Sequence, residues 1–557
     1  MIFTLLIIPM PACKNCQTAF TISPEDRAFY GRIGVPLPTL CVNCRRQHLA
    51  SFWPFGNFYQ RKCDQTGESI ISTFSPQAPF PVYKRENWLK DNWQVPEAKV
   101  NLDQPFLEQL TALQKKTPHY HQLTDGTNVN CEYCDDAYTS KNCYLTRSFA
   151  ESEDLYFGYR MVGCKDCFDS VYSYNLEKCY SCTRCWQCYN THYSLESRDC
   201  LDSYFLYDCR GCKNCLMCWN LRNAEYCIKN QQYSAAEYER KIAEINFGSW
   251  FTIQDLKAEF KKVLVAEAIH RDNFNVKTVN CSGNYLTESK NCRDCFFMEE
   301  GEDCFNLMRA LGNKDIYDSV GPYRGQLSCG SAQSLDCYNF KFCVYAIRCR
   351  DSEYLDQCED CHDCFGCVGL RKKSFCILNK QYPEAEYRRL VKLIKEKMTA
   401  RGEYGEYLPV SMMYNGYNDT LAYLYFPENR EQVAARGAGW QEEIITEPKI
   451  DLTVEELPDS IQGTKTEAVV NKTIKCGKTG KIFRYIPQEI KFYQANNIPL
   501  PRYYYNYRVT ENFRQMAGLF GREAACGLCG QKITSYYPAE WGYRKIYCEE
   551  CYRKEIY

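Results

Sequence analysis

Small and apolar residues recur at every third position through the middle of the chain. Between residues 131 and 227 fifteen cysteines, at 131, 134, 143, 164, 167, 179, 182, 185, 188, 200, 209, 212, 215, 218 and 227, all leave remainder two on division by three. The intervening positions of that phase are small or apolar as well, among them Ala137, Ser140, Leu155, Ser170, Ser173, Leu176, Ser194, Ser197, Ser203 and Leu206. An α-helix repeats at 3.6 and a strand at 2.0, and a 3₁₀-helix is not sustained over such a length. Polyproline II would need prolines or glycines, and the stretch contains no proline. The pattern therefore predicts a narrow β-solenoid that turns a corner every few residues and points each third side chain inward. Nine cysteine pairs lie twelve apart, from 131 and 143 to 364 and 376. Coils of twelve would stack equivalent residues at about 4.8 Å, although 21 or 24 residues also fit some spacings.

The lattice occurs twice. Cys215-Leu-Met-Cys218 through Cys227-Ile228, Asn230 and Gln232-Tyr233 matches Cys364-Phe-Gly-Cys367 through Cys376-Ile377, Asn379 and Gln381-Tyr382, a shift of 149. In the second copy eleven of thirteen cysteines share one phase, Cys329 lies off it and Cys281 is shifted by a one-residue deletion. Cys182 and Cys185 are replaced there by Ser331 and Ser334, an exchange that suits a packed interior. Each copy ends in a predicted helix, one from Ser234 with Tyr238, Ile242 and Ile245, the other from Pro383 with Tyr387, Leu390, Val391 and Ile394. Such helices would cover an open strand edge.

The termini carry a different cysteine pattern. Cys13-x2-Cys16 with Cys41-x2-Cys44, and Cys526-x2-Cys529 with Cys548-x2-Cys551, have the spacing of zinc ribbons, in which two turns of two thiolates close a tetrahedron. Four sulfurs leave no open position, so two structural zinc ions are expected and no catalytic one. The stretch Phe20 to Tyr30, followed by Pro36-Leu-Pro38 and Cys41-Val-Asn-Cys44-Arg45-Arg46, resembles the uncharacterised "probable zinc-ribbon" family of bacterial proteins over residues 11–47, with Glu25 or Asp26 as its acid. That resemblance implies zinc binding without naming an activity. The pattern returns 463 residues later at Cys476, Thr479, Tyr504, Tyr507 and Arg508, with three of four ligands lost, which predicts a ribbon without metal and an aromatic core in its place. The lattice itself resembles the twelve-residue β-helix of beetle antifreeze proteins, without their outward Thr-x-Thr rows.

The expected fold is thus mainly β, with ribbons at both termini flanking two tandem Cys-rich solenoid repeats and their capping helices. The segments expected are 11–65 (ribbon and extension), 66–127 (helical connector), 128–270 and 279–402 (repeats), 403–470 (connector and acidic linker with Glu442-Glu443 and Glu455-Glu456), 471–515 (metal-free ribbon) and 522–557 (ribbon). Charge is uneven along this order. Residues 1–65 carry seven basic and three acidic groups and residues 471–557 fifteen and seven, leaving −13 for the centre of a chain whose net charge is −1. Basic ends with interleaved aromatics, such as Phe52 to Lys62 and Tyr503 to Arg508, suit single-stranded DNA or RNA, and Arg45, Arg46 and Arg508 are the expected contacts. A protein partner fits the same scaffold.

No metalloprotease, nucleophile-elbow or dinucleotide motif is present, and the six histidines at 48, 119, 121, 192, 270 and 362 are scattered, so neither catalysis nor a small-molecule substrate is expected. The apolar run Met1 to Met10 lacks a basic flank, makes a poor signal peptide and, with Met10 as an alternative start, points to a reducing cytoplasm; no stretch is long enough to span a membrane. Two alternatives remain from sequence. The runs Cys179 to Cys188, Cys209 to Cys218 and Cys358 to Cys367 could ligate iron–sulfur clusters or extra metal, and an exported protein could join its coils by disulfides.

Overall fold

A computed structural model describes residues 10–557 except 125, 166, 175, 176 and 443–448. The apolar run 1–9, Leu176 and Glu443 lie outside the described residues. The architecture is mostly strands. From Cys134 to Ile228 the strands pair in parallel with the residue twelve further on, as in Leu201↔Lys213 and Lys213↔Glu225, and isolated bridges such as Lys165↔Glu177↔Tyr189 carry the same register through the gaps. From Gly283 to Gln381 a ten-stranded sheet follows sequence order, with Gln326↔Tyr338↔Arg350↔His362↔Ser374 in one column. Its first step, Val279↔Lys290, is eleven, which locates the one-residue deletion.

The three-residue period has a backbone cause. Nearly every third residue, such as Asn142, Leu145, Ser148, Glu151 and Asp154 with φ of 50 to 55°, adopts the left-handed conformation, and the side chain after it points inward. Two extended residues and one left-handed residue make a corner. That conformation costs roughly 1–2 kcal/mol for most L-residues, and Asn and Asp tolerate it best. Many corners are Asn or Asp, and their side chains bond up the column: Asn142 Nδ2 donates to Asp154 Oδ1 at 3.0 Å and Asn339 to Asp351 at 2.7 Å.

The interior is built from residues that can serve the main chain. Ser170 Oγ accepts from the Cys182 N–H twelve residues on (3.3 Å) and donates to the Phe168 carbonyl (3.2 Å), and Ser194 accepts from Leu206 N–H at 3.0 Å. The thiols do the same. Cys200 Sγ donates to the Arg198 carbonyl at 3.2 Å, and Cys343 Sγ accepts from Leu355 N–H at 3.4 Å. A small side chain with one donor suits many of these inward positions, because a buried unpaired main-chain group is costly, while others are filled by apolar side chains such as Leu155 and Leu206. Cys and Ser are therefore interchangeable, and Cys182 and Ser331 are both essentially inaccessible. Cys329, off the phase, is buried on an outward position of the strand Gln326–Ala332.

Each ladder is closed where its last strand would expose an edge. Asn230 pairs with both main-chain groups of Trp219 at 3.0 Å, and its counterpart Asn379 does so with Val368 at 2.8 Å. A short antiparallel turn (Cys227↔Gln232, Cys376↔Gln381) and then a helix follow. These helices, Ala235–Ala243 with Ser234 in a capping box and Glu384–Ala400 after Pro383, bury Tyr238 and Tyr387 as expected. The helix Trp250–Ala266 was not foreseen.

The chain divides into two compact units. Unit 1 joins residues up to His121 with Phe274–Glu442, and unit 2 joins Gln122–Asn273 with the residues from 443 onward. Each unit therefore combines one ladder with the terminal region that is remote from it in sequence. Of the acidic stretch expected as a linker, residues 449–470 lie in unit 2, where Leu457, Ile461 and Val469 are buried and Ser460 bridges Ser249.

Candidate metal centres and the ribbon pairs

Both four-cysteine sets come together. The Sγ atoms of Cys13, Cys16, Cys41 and Cys44 lie within 4.8 Å of one another, as do those of Cys526, Cys529, Cys548 and Cys551. Cys16 and Cys41 are 3.7 Å apart and Cys529 and Cys548 3.8 Å, the sulfur separation of about 3.8 Å that a tetrahedron with 2.3 Å metal–sulfur bonds requires. The Cys41 N–H donates to Cys13 Sγ at 3.2 Å and the Cys548 N–H to Cys526 Sγ at 3.4 Å. Hydrogen bonds from Thr18 draw the Cys16 thiol down to about 6. Burial raises the Cys526 thiol, but main-chain hydrogen bonds at Cys529 and Cys548 outweigh it and bring it to about 6. Burial and the neighbouring Cys41 push Cys44 up. The chemistry is that of two closed four-sulfur sites able to hold a metal ion. Among the described residues no other group of three or more potential ligands converges in this way, the three Cys-x2-Cys runs of the ladders included.

The region 463 residues after the first site repeats its fold. The bridge Ala12↔Ala19 becomes Lys475↔Ile482, the helix Pro24–Ile33 becomes Pro487–Ala495, and Val42–Ala50 becomes Tyr505–Phe513. Thr479, Tyr504 and Tyr507 stand where ligands would be. The buried aromatic core of this copy is Tyr485 and Tyr493, whereas Tyr504 and Tyr507 lie half-buried over the turn.

The same offset also holds for a segment that sequence reasoning passed over. Strands Tyr59–Lys62 and Ser69–Ser72 correspond to Arg522–Ala525 and Lys532–Ser535, so Cys63 matches Cys526, while Thr66, Arg85 and Trp88 stand for Cys529, Cys548 and Cys551. Even the partner strands agree, Val82 pairing with His119 as Lys545 pairs with Ile269. Cys63-x2-Thr66-Gly67 beside Cys526-x2-Cys529-Gly530 was the available clue. All four turns share one geometry. The residue four after the first cysteine (Gln17, Gly67, Gly480, Gly530) has φ of 61 to 75°, and its N–H donates to that cysteine's carbonyl at 2.8 to 3.0 Å. Each unit thus holds one complete and one lapsed ribbon, in opposite order.

The three arginines expected to contact nucleic acid are corrected by the structure, since none presents its charge to solvent. Arg45 is 2% and Arg46 1% exposed. Arg45 pairs with Asp318 and donates to Tyr30 Oη at 3.0 Å, and Arg46 pairs with Asp294 at 3.1 Å and stacks on Phe296. Arg508 pairs with Asp169 at 2.8 Å and lies 3.6 Å from Glu489. The physical reason is the position after the second turn, on the first helical turn that faces the ladder. The two repeats meet here: the ribbon offset carries Arg45 to Arg508, and the ladder offset carries Asp169 to Asp318. These pairs dock each ribbon on a corner residue of its ladder.

The two docking sites differ in charge. In unit 1 Asp26, which accepts from the N–H of the N-cap Ser23, also pairs with Arg293, so two arginines meet two carboxylates. In unit 2 Glu489 takes the place of Asp26, but Tyr144 takes the place of Arg293. Burial pushes Glu489 up to about 7 and Asp169 to about 6, with Arg508 and, for Asp169, Lys257 offsetting only part of it.

Among the described residues no helix is long and apolar enough to cross a membrane. No protein-family model and no curated protein matches the chain. Among solved structures, a UDP-N-acetylglucosamine acyltransferase from Campylobacter jejuni aligns over 52% of this chain and 94% of its own at 9% identity, with a TM-score of 0.08 that carries no argument.

Proposed function

We propose that this chain is a non-enzymatic, zinc-stabilised binding scaffold. In this reading the two ladders are twelve-residue β-solenoids, the two four-sulfur sites hold structural zinc as in the zinc-ribbon family the first segment resembles, and the protein presents a surface to a nucleic acid or protein partner in a reducing cytoplasm. The observation that carries it is the use of the cysteines. Eight converge in closed sites without an open position, and those of the ladders are spent on main-chain hydrogen bonds inside the core. The histidines support it too: burial holds His48 and His192 at about 4 and His121 and His270 at about 3, neutral and inside. Anaerobically purified protein should contain zinc and no iron, lack visible cluster absorption, and carry about thirty free thiols beyond the eight cysteines of the two metal sites. Iron with charge-transfer bands, or few titratable thiols, would replace this reading with the cluster or disulfide alternative.

A further inference from the structure

One outward column of the ladder in unit 2 is unlike its counterpart. Parallel bridges stack Tyr174, Trp186, Arg198, Arg210 and Arg222 directly one above another. Consecutive coils rise about 4.8 Å, so Trp186 to Arg222 spans roughly 14 Å, the length of about four stacked nucleotides. In the ladder of unit 1 the same column reads Tyr323, Leu335, Ile347, Glu359 and Arg371, and its charges are consumed: Glu359 pairs with Arg85 at 2.8 Å and Arg371 donates to the Leu89 carbonyl.

The arginines of unit 2 are incompletely neutralised. Glu196 is held by Arg184 at 3.4 Å; Asp208 is shared by Arg222 at 3.4 Å and Arg210 at 3.9 Å and also accepts from Tyr552 Oη. Glu549 is held by Arg271 at 2.8 Å. Among the described residues Arg198 has no ion-pair partner, and Asp199 occupies the next corner, exposed. Burial and the guanidinium groups of Arg210 and Arg184 hold the pKa of Arg198 below the ordinary range. Stacking like charges at strand spacing is unfavourable unless an anion lies along them. Aromatics interleave with the charges. Arg198 lies 4.3 Å from the Trp186 ring, and Tyr557, 70% exposed, is flanked by Arg222 at 4.8 Å and Arg210 at 6.0 Å.

Resting on the binding-scaffold reading above, we infer that the ridge Trp186–Arg198–Arg210–Tyr557 seats a single-stranded nucleic acid, with Arg198 and Arg210 on successive phosphates and Tyr557 stacked on a base. Cations along a line with an exposed ring at one end match a flexible phosphate backbone, and stacking of this kind tolerates any base. This assigns the contact to residues other than the three arginines expected from sequence.

The test is fluorescence anisotropy of a labelled uridine 20-mer on the full chain, across salt concentrations. Arg198→Gln with Arg210→Gln should weaken binding at least about tenfold and lower the log–log salt slope by about 1.4, two phosphate contacts at 0.7 each on a single strand. Tyr557→Leu should weaken it without changing the slope. Lys141→Gln with Lys314→Gln, exposed cations elsewhere, should change neither affinity nor slope by as much. Metal content and melting temperature monitor folding; should the double variant unfold, Arg210→Gln alone should show about half the slope change. Wild-type binding unaffected by the ridge variants overturns the ridge and leaves the nucleic-acid reading standing. No wild-type binding at low salt overturns both while sparing a protein-binding scaffold, and duplex RNA bound as tightly as the single strand overturns the base-stacking assignment.

Discussion

Units 1 and 2 contain the same parts, a ladder and a pair of ribbons, and differ in which ribbon kept its cysteines. In unit 1 the first ribbon is complete and the second reads Cys63, Thr66, Arg85 and Trp88; in unit 2 the first reads Cys476, Thr479, Tyr504 and Tyr507 and the second is complete. The turn geometry of all four is the same, so the ribbon fold does not depend on metal where side-chain packing replaces it. Trp88, fully buried and bonded through its indole N–H to the Pro118 carbonyl at 2.9 Å, shows how one large side chain fills the space of a ligand. Each ribbon pair keeps one four-cysteine set able to hold a metal ion, and the member that keeps it differs between the units.

The comparison is broken most forcefully by removing a metal site. Cys13→Ser with Cys16→Ser should cost most of the roughly 10–16 kcal/mol that a structural zinc site contributes, with loss of hydrogen-exchange protection over residues 11–50 while the ladder of unit 1 stays protected. Cys476→Ser, at the corresponding lapsed site, should leave exchange there nearly unchanged. Equal losses in both would mean the lapsed ribbon binds metal after all.

Next in size are the docking arginines. Arg45→Met strands Asp318, a loss of about 3–5 kcal/mol for a buried pair. Arg508→Met strands Asp169 and Glu489 together and should cost at least as much, read as faster proteolysis of residues 471–515. Adding Asp169→Asn should restore part of the loss; no restoration would show that the arginine acts by packing alone.

Equivalent acids should then have opposite effects on stability at high pH. The folded-state pKa of Glu489 lies above its unfolded value, so its contribution is fully present below about pH 4 and is lost as pH rises to about 7. Glu489→Gln should therefore stabilise unit 2 by roughly 2–3 kcal/mol at pH 8 and by little at pH 4. Asp26→Asn, which removes the charge opposite Arg293, should destabilise unit 1 at pH 8. Thermal melts of each variant at the two pH values check both signs.

The smallest effect belongs to the ladders. Cys182→Ser and the reverse change Ser331→Cys should each shift stability by less than about 1 kcal/mol, because both side chains donate to the same kind of inward carbonyl. Cys182→Leu should cost about 1–3 kcal/mol through overpacking. A large penalty for the serine change alone would imply that the thiol has a further role.

The sequence made the cysteine chemistry legible because spacing is local: a Cys-x2-Cys turn and a twelve-residue register are both visible in single segments. The left-handed corners were legible only in part. Their period was plain, but that an inward Ser or Cys serves main-chain donors and acceptors emerges from the geometry of Ser170 and Cys200. The arginines were misread because composition does not state direction. Aromatics beside cations suit nucleic acid and a docked helix alike, and here the decision lies with Asp318 and Asp169, which are 273 and 339 residues away from their partners. For the same reason nothing local announced that each ribbon pair joins the ladder remote from it in sequence.

The most direct test of the reciprocal ribbons is metal stoichiometry by native mass spectrometry on the full chain. Two zinc ions are expected in the parent, one after Cys13→Ser with Cys16→Ser, one after Cys526→Ser with Cys529→Ser, and none when all four are changed. Cys63→Ser and Cys476→Ser should leave both ions bound. Loss of an ion from either of these two variants, or more than two ions in the parent, would contradict the account.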